Sequence, residues 1–352
     1  MKIGLYTYPP IYHSSLWRVT TDIAAALKEL GHQVIIAYHP DRAESYFKIR
    51  QPLEKDIYLY PVKDENVPEV LNQCDYNIVY NPMSRVNISG IEWEKIRYSV
   101  YALYEGIILN PMNNKVIGYA DKVIATTPAH MKLLEKTFNK EVKYIPHTFN
   151  SDIFRWSDYT YGDREGLLFI GNYYPRKNIP YLFALASQLP DEIRITLIVS
   201  LGYSDFKAKL RLLNRIWKTE DKIEVWNMNF LPNDLDIAFQ YSIHKYYISL
   251  SGAEGFELPL LESMACGTPV IKLWTPEAQW NDWEWIEPES IQYTWWGGYF
   301  IPKINEETVN FITDLYYDEK IWKRIRDKYK KRINDFTWDK WVSRWEEVIN
   351  EV

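Results

Sequence analysis

The sequence predicts an α/β protein of two domains, each a parallel sheet with helices on both faces. Three observations carry that expectation. Strand and helix signals alternate along the chain, as parallel sheets require, because each strand must be followed by a crossover. The 352 residues exceed the roughly 100–200 usual for one domain. A polar, aromatic and aperiodic stretch, residues 150–166, separates two alternating series and reads as a linker.

Residues 2–8 form a short apolar strand broken by Pro9 and Pro10. Residues 17–30 carry Val19, Ile23, Ala26, Leu27 and Leu30 at helical spacing, and Gly31 is a natural helix stop before a strand at 33–38. Strands at 76–80 and 122–125, a helix near 129–138 and a closing strand at 142–146 complete the first half. The second half begins with a strand at 167–171, then alternates helix 181–189, strand 194–200, helix 205–217 and strand 223–226. Helix 234–241, strand 246–249 and a helix near 258–266 follow. Residues 306–352 are helical and highly charged, interrupted around 335–339. The basic run between Lys320 and Arg332 is interleaved with Ile321, Trp322, Ile325 and Tyr329 at helical spacing, which marks a solvated amphipathic helix rather than a nucleic-acid patch.

Composition narrows the partners. The net charge of −6 is the wrong sign for a nucleic-acid binder. The two cysteines, Cys74 and Cys266, are far apart and have no Cys or His at zinc-ligand spacing, so neither a disulfide framework nor a metal site is expected, and a reducing cytoplasm fits. The N-terminus lacks the sustained apolar run of a signal peptide, and no stretch approaches the roughly 20 apolar residues that span a bilayer. Helix 205–217 sets Phe206, Leu210, Leu213 and Trp217 on one side and Lys207, Lys209, Arg211 and Arg215 elsewhere. Its apolar side is expected to pack on the second sheet. Peripheral contact with an anionic membrane, at the inner face, is the other reading of the same pattern.

The chemistry concentrates in residues 251–271, SGAEGFELPLLESMACGTPVI, where a strand runs into Gly252 and Gly255 and then a helix ended by Gly267. Glycines at such a turn let backbone N–H groups approach a ligand, and the helix N-terminus favours an anion or a polarised hydroxyl cluster. Glu254 precedes the helix and Glu262 lies about a turn inside it. Carboxylates accept from sugar or ribose hydroxyls. Asp234 and Asp236 resemble a metal-binding acidic pair, but they open a helix after Pro232-Asn233, so N-terminal capping accounts for them.

The complete string resembles the signature of the retaining nucleotide-sugar glycosyltransferases of GT-B architecture, family four, also called group 1: Glu-Gly-Phe-Gly-Leu-Pro-x-Leu-Glu-Ala-Met-Ala-Cys-Gly-x-Pro-Val-Ile. The resemblance continues in FIGNYYPRKNIPYLFALASQL, similar to the family's strand, Gly-Arg, loop and Lys-Gly. It is also found in the opening strand and helix, in ADKVIATTPAHMKLL, in YIPHTFNSDIF and in the closing helices. It implies two Rossmann-like lobes facing a central cleft, with a C-terminal helix returning to the first lobe. Residues 1–150 would form the acceptor-binding lobe, 151–335 the nucleotide-sugar lobe and 336–352 the returning helix.

The resemblance also implies roles. Glu254 would meet the transferred sugar and Glu262 the ribose hydroxyls, with further donor contacts from Gly255, Phe256, Glu257 and Leu258. Lys177 falls at the family's lysine, which grips the donor pyrophosphate and serves catalysis. Asn172 replaces the arginine, and the adjacent Arg176 compensates. Glu257 stands where the family has glycine, a carboxylate expected beside the sugar pocket. On the acceptor side are Tyr8, His13, Trp17 and Glu105, with His147 in the interlobe segment. The implied function is hexosyl transfer from a nucleotide-diphospho-sugar to a glycan, lipid-linked, protein or small-molecule acceptor. It would proceed with retention and without metal or other cofactor, the nucleotide sugar being a co-substrate. Alternatives are a non-catalytic nucleotide-sugar or glycan binder and a nucleotide-sugar epimerase. A Rossmann oxidoreductase is disfavoured, because no Gly-x-Gly-x-x-Gly follows the first strand.

Overall fold

The computed structural model describes residues 1–7, 15–38, 57–62, 66–80, 92–103, 114–200, 205–227, 233–294 and 297–352. The chain divides into two compact units, Met1–His147 with Trp338–Val352, and Thr148–Thr337.

In the first unit, strands β1 (Lys2–Thr7), β2 (Gln33–Tyr38), β3 (Ile57–Pro61), β4 (Tyr76–Tyr80), β5 (Tyr98–Ala102), β6 (Lys122–Ala125) and β7 (Val142–Tyr144) form one parallel sheet in the order β3-β2-β1-β4-β5-β6-β7. The helices are α1 (Ser15–Glu29), α2 (Val67–Leu71), α3 (Asn114–Tyr119) and α4 (Pro128–Phe138), joined by α11 (Trp338–Asn350) from the end of the chain. Gly31 takes a left-handed φ of 81° after α1, the helix stop that its lack of a Cβ permits. α11 docks through buried Trp341, Val342, Trp345 and Ile349; the Trp345 ring meets Tyr101 edge-on, and Trp338 Nε1 donates to Glu29 at 2.7 Å. The last helix is therefore part of the first unit.

In the second unit, β8 (Glu165–Asn172), β9 (Ile195–Ser200), β10 (Ile223–Asn227), β11 (His244–Ser249), β12 (Val270–Leu273) and β13 (Glu284–Ile286) make a parallel sheet in the order β10-β9-β8-β11-β12-β13. Helices α5 (Ile179–Gln188), α6 (Asp205–Trp217), α7 (Asp234–Ile243) and α8 (Leu258–Ala265) alternate with these strands, and α9 (Glu306–Tyr317) and α10 (Glu319–Arg332) follow. Between β13 and α9 lies an antiparallel hairpin, β14 (Pro288–Thr294) and β15 (Gly297–Pro302), which the sequence pattern did not announce because its residues carry no clean alternation. The strand order reverses between β8 and β11. Chains leave these neighbouring strands in opposite directions, opening a crevice at their C-terminal ends where α/β sheets bind ligands.

One expectation needs correction. Residues 150–166 are not a loose linker but a strap bound to the second unit. Arg164 is buried and donates to Thr268 Oγ1 at 2.6 Å, while Arg326 donates to the Ser157 carbonyl at 2.6 Å and the Tyr159 carbonyl at 2.9 Å. The stretch needs no strand ladder there, because Arg326 of α10 satisfies its 157 and 159 carbonyls while its own Arg164 reaches into the second unit's core. α10 buries Trp322, Ile325 and Tyr329 and exposes its lysines, as an amphipathic surface helix does. Asn233 and Asp236 form a capping box at α7: Asn233 accepts from the Asp236 N–H at 3.0 Å.

Candidate active site

The crevice at β8 and β11 is floored by two loop-to-helix turns. β8 ends at Asn172, which is exposed, and the chain passes through a short 3-10 turn, Pro175–Lys177, into α5. Asn178, at the start of α5, adopts φ 54° and ψ 30°, and its amide bonds both Leu250 and Phe300 carbonyls at 2.8 Å. This asparagine sits where the family's Lys-Gly has glycine. Its side chain anchors the left-handed conformation that glycine adopts freely.

β11 runs into the 251–257 turn and then α8. Gly252 is glycine for a packing reason: a Cβ there would lie 1.9 Å from the Phe300 carbonyl oxygen of β15, whose N–H donates to the Gly252 carbonyl at 2.9 Å. Glu254 is buried and gathers the cations. Arg176 Nη1 donates to its Oε1 at 2.6 Å, Lys177 Nζ pairs with the same oxygen, and the Ser251 hydroxyl donates to it as well. Burial pushes the Glu254 carboxyl up, but Arg176, Lys177 and these hydrogen bonds outweigh it and hold the group near about 2. Arg176, Lys177 and Glu254, noted separately in the sequence, are thus one ion-paired cluster.

Glu257 departs from the expectation of a carboxylate standing beside a pocket. It is the residue before α8, with φ 69° and ψ 77°, and its side chain is only 2% exposed. Its Oε1 accepts from the Ser249 hydroxyl, and its Oε2 lies 3.5 Å from Lys272 Nζ. Phe256 is buried, stacked on Trp280 with centroids 4.7 Å apart, and Leu258 is buried beside Gly255 at the helix start. Glu262 is buried on α8 and accepts from the Tyr241 hydroxyl at 3.1 Å.

Two further buried charged residues adjoin this cluster. Glu277 is buried, accepts from the Glu254 N–H at 2.9 Å, and is raised by burial to about 7. Lys272 has a fully buried side chain in β12. A lysine inside the apolar run Val270–Leu273 of a parallel strand was a legible signal, since such strands are covered on both faces and a buried charge needs a partner.

On the acceptor side, Tyr8, His13 and Glu105 lie outside the described residues. Trp17 is buried on α1, and His147 is a core residue: its Nδ1 bonds the Tyr101 hydroxyl at 2.8 Å, and burial with the Arg18 charge brings it down to about 3.

Comparisons with known proteins agree with this geometry. The family model described as glycosyl transferases group 1 matches residues 150–273, the stretch holding Arg176, Lys177, Glu254 and Glu262. A glycosyltransferase of Haemophilus influenzae is 21% identical over 99% of each chain. The N-acetyl-alpha-D-glucosaminyl L-malate synthase of Bacillus anthracis is 22% identical over 100% of this chain and 97% of its own. Among solved structures, Anabaena HepE in complex with UDP shares the fold over 100% of both chains, with TM-score 0.78 at 13% identity. HepE has also been solved with UDP-glucose. With the glutamate string folded as the strand-to-helix turn of a second Rossmann-like unit, and the likeness to glycosyltransferases running the length of the chain, the protein is a glycosyltransferase of GT-B fold whose residues 150–273 match the group 1 glycosyl transferases.

Proposed function

We propose that the enzyme transfers a hexosyl group from a nucleoside-diphosphate sugar to an acceptor, with retention of anomeric configuration and without a metal ion. The observation that carries this reading is the buried Glu254 clamped by Arg176 and Lys177 at the strand-order reversal. An ammonium has three donors and a guanidinium five. Arg176 divides its contacts between Glu254 and the Ala253 carbonyl, while Lys177 pairs with Glu254 and presents a compact ammonium suited to the oxygens of a diphosphate. Negative charge grows on that leaving group as the glycosidic bond breaks, and a fixed donor aimed at it contributes about 3 kcal/mol in comparable sites. Glu262 on α8 takes the ribose hydroxyls in this reading. UDP-glucose is the first donor to try, because HepE is known in complex with it.

A carboxylate already shared by two cations is a poor nucleophile but a good acceptor for sugar hydroxyls. The reading is therefore front-face attack. The anomeric carbon–phosphate oxygen bond breaks, the acceptor oxygen bonds the same face, and the acceptor proton passes to the departing phosphate, which leaves as nucleoside diphosphate. Tyr8, His13 and Glu105 belong to the acceptor side of the proposal, whose acceptor is a glycan, lipid-linked, protein or small-molecule hydroxyl. A cytoplasmic setting with peripheral membrane contact completes it. Among the described residues no helix is long and apolar enough to cross a bilayer.

The test is transfer in excess chelator, with the product's anomeric configuration read by NMR and the protein mass checked for attached sugar. Retained configuration, undiminished rate and unmodified protein are expected. An inverted product overturns retention, rescue of a chelated enzyme by manganese overturns metal independence, and a glycosyl-Glu254 adduct overturns front-face attack.

A further inference from the structure

Lys272 presents an unusual feature: a side chain with no exposure at all, in a parallel strand one layer beneath the turn that carries Glu254. An ammonium that water and ligand cannot reach takes no part in gripping a donor. It must instead be matched by the protein, because an uncompensated buried charge is among the costliest features a fold can hold.

Its partners all belong to the 251–257 turn or its supports. Lys272 Nζ donates to the Ser251 carbonyl and lies 3.5 Å from Glu257 Oε2. In the parallel ladder Lys272 is the register partner of Ser249. Neighbouring strands place register partners on one face, and here both side chains converge on the same carboxylate, the Ser249 hydroxyl donating to Glu257 Oε1. Glu277, whose carboxyl the Lys272 charge pulls down against burial, accepts from the Glu254 N–H. The Ser251 hydroxyl then donates to the Glu254 carboxylate.

The backbone explains why such a device is present. Glu257 holds φ 69°, a region in which a non-glycine residue is strained by about 1–2 kcal/mol. A glycine there needs no anchor; a glutamate does. Fixing its carboxylate on Ser249 and Lys272 holds the conformation and gives Lys272 its counter-ion.

We propose that Lys272 and Glu257 form a positioning pair for the transfer reaction: the buried ammonium ties the Ser251 carbonyl to the Glu257 carboxylate and so sets the turn that aims Glu254 at the transferred sugar. The inference rests on the reading of Glu254 as the sugar contact. Neither member of the pair touches donor through its side chain.

The experiment compares Lys272→Met, Lys272→Arg, Glu257→Gly and the double variant Glu257→Gly/Lys272→Met. The donor is whichever of UDP-glucose, GDP-mannose and ADP-glucose releases nucleotide with the unaltered enzyme. Turnover is measured with that sugar, and the Kd of its nucleoside diphosphate by calorimetry. Lys272→Met leaves a buried carboxylate without its cation. It is expected to lower kcat about tenfold or more, while the nucleotide Kd stays within about twofold. The double variant removes both charges and gives position 257 the residue suited to its φ, so it recovers most of the lost kcat. If Lys272→Met does not fold, the double variant and Lys272→Arg carry the test: a folded double variant without turnover overturns the proposal. So does a Lys272→Met enzyme with unaltered kcat, or a fall of kcat and nucleotide affinity in parallel with melting temperature across all variants. Glu254→Gln is run alongside. Wild-type turnover in that variant refutes the reading of Glu254, whereas a slow Glu254→Gln beside a normal Lys272→Met refutes only the pair.

Discussion

Glu254, Glu262 and Glu277 are three buried glutamates within one unit, and their partners separate their roles. Glu254 shares its charge with Arg176 and Lys177, Glu262 meets the Tyr241 hydroxyl, and Glu277 accepts from backbone N–H groups, that of Glu254 among them. Under the proposed donor placement, Lys177→Ala should weaken a nucleoside diphosphate at least about tenfold more than the bare nucleoside, since it removes a charge-assisted contact. Glu262→Ala should weaken both alike through the ribose. Calorimetric titrations of the two ligands check this, and identical affinities in wild type and variants would refute the placement. Glu277 gives a pH prediction. Its carboxyl is raised in the folded protein to about 7 from a usual 4.5, so the folded state binds that proton more tightly than the unfolded chain. The stability it contributes is full below about pH 4.5 and disappears as pH rises through about 7, on the order of 3 kcal/mol in all. Glu277→Gln should flatten that part of the melting-temperature profile. A variant whose melting curve keeps the wild-type slope between pH 4.5 and 7 would contradict it.

At the scale of elements, the site depends on how closely backbones approach. β15 lies on the 251–253 turn through the Phe300–Gly252 hydrogen bond, and Asn178 ties the start of α5 to both segments. Gly252→Ala puts a methyl against the Phe300 carbonyl, which is backbone and cannot swing aside. The variant should lose at least about 2 kcal/mol of stability in urea unfolding and lose activity with it. A stable Gly252→Ala protein would show that the hairpin yields. Such a contact leaves little trace in sequence: β14 and β15 show no alternation, and the glycine at 252 looks like one more ligand-approach glycine until β15 is seen beside it.

For the molecule as a whole, α6 presents a surface that is both apolar and basic. α6 buries Leu210 and half-buries Leu213 as expected, but Trp217, expected on the same packed side, is exposed, and Leu212 and Ile216 are 57% and 59% exposed beside Arg211, Arg215 and Lys218. Apolar side chains ringed by cations on a protein of net charge −6 fit the proposed peripheral contact with anionic lipid. The enzyme should sediment with phosphatidylglycerol vesicles at low salt, less so with phosphatidylcholine. Leu212→Glu/Ile216→Glu should abolish the difference without altering nucleotide binding. Equal partition of wild type and variant would remove α6 from the membrane account.

Periodicity and glycine placement were enough for the alternating series, the helix stops at Gly31 and Gly267, the cap at Asp236 and the amphipathic α10, because these are set by neighbours a few residues apart. The glutamate string was legible for the same reason: its turn, helix and strand are contiguous. What tertiary structure alone decided is which charges meet. Arg176 and Lys177 reach Glu254 across the β8–β11 reversal, Arg164 turns a stretch that reads as a linker into a strap, and Lys272 finds Glu257 from the next strand. Burial makes a charge choose its partner by distance through the fold and not along the chain, so the sequence could show that Lys272 and Glu257 were out of place but not that each explains the other.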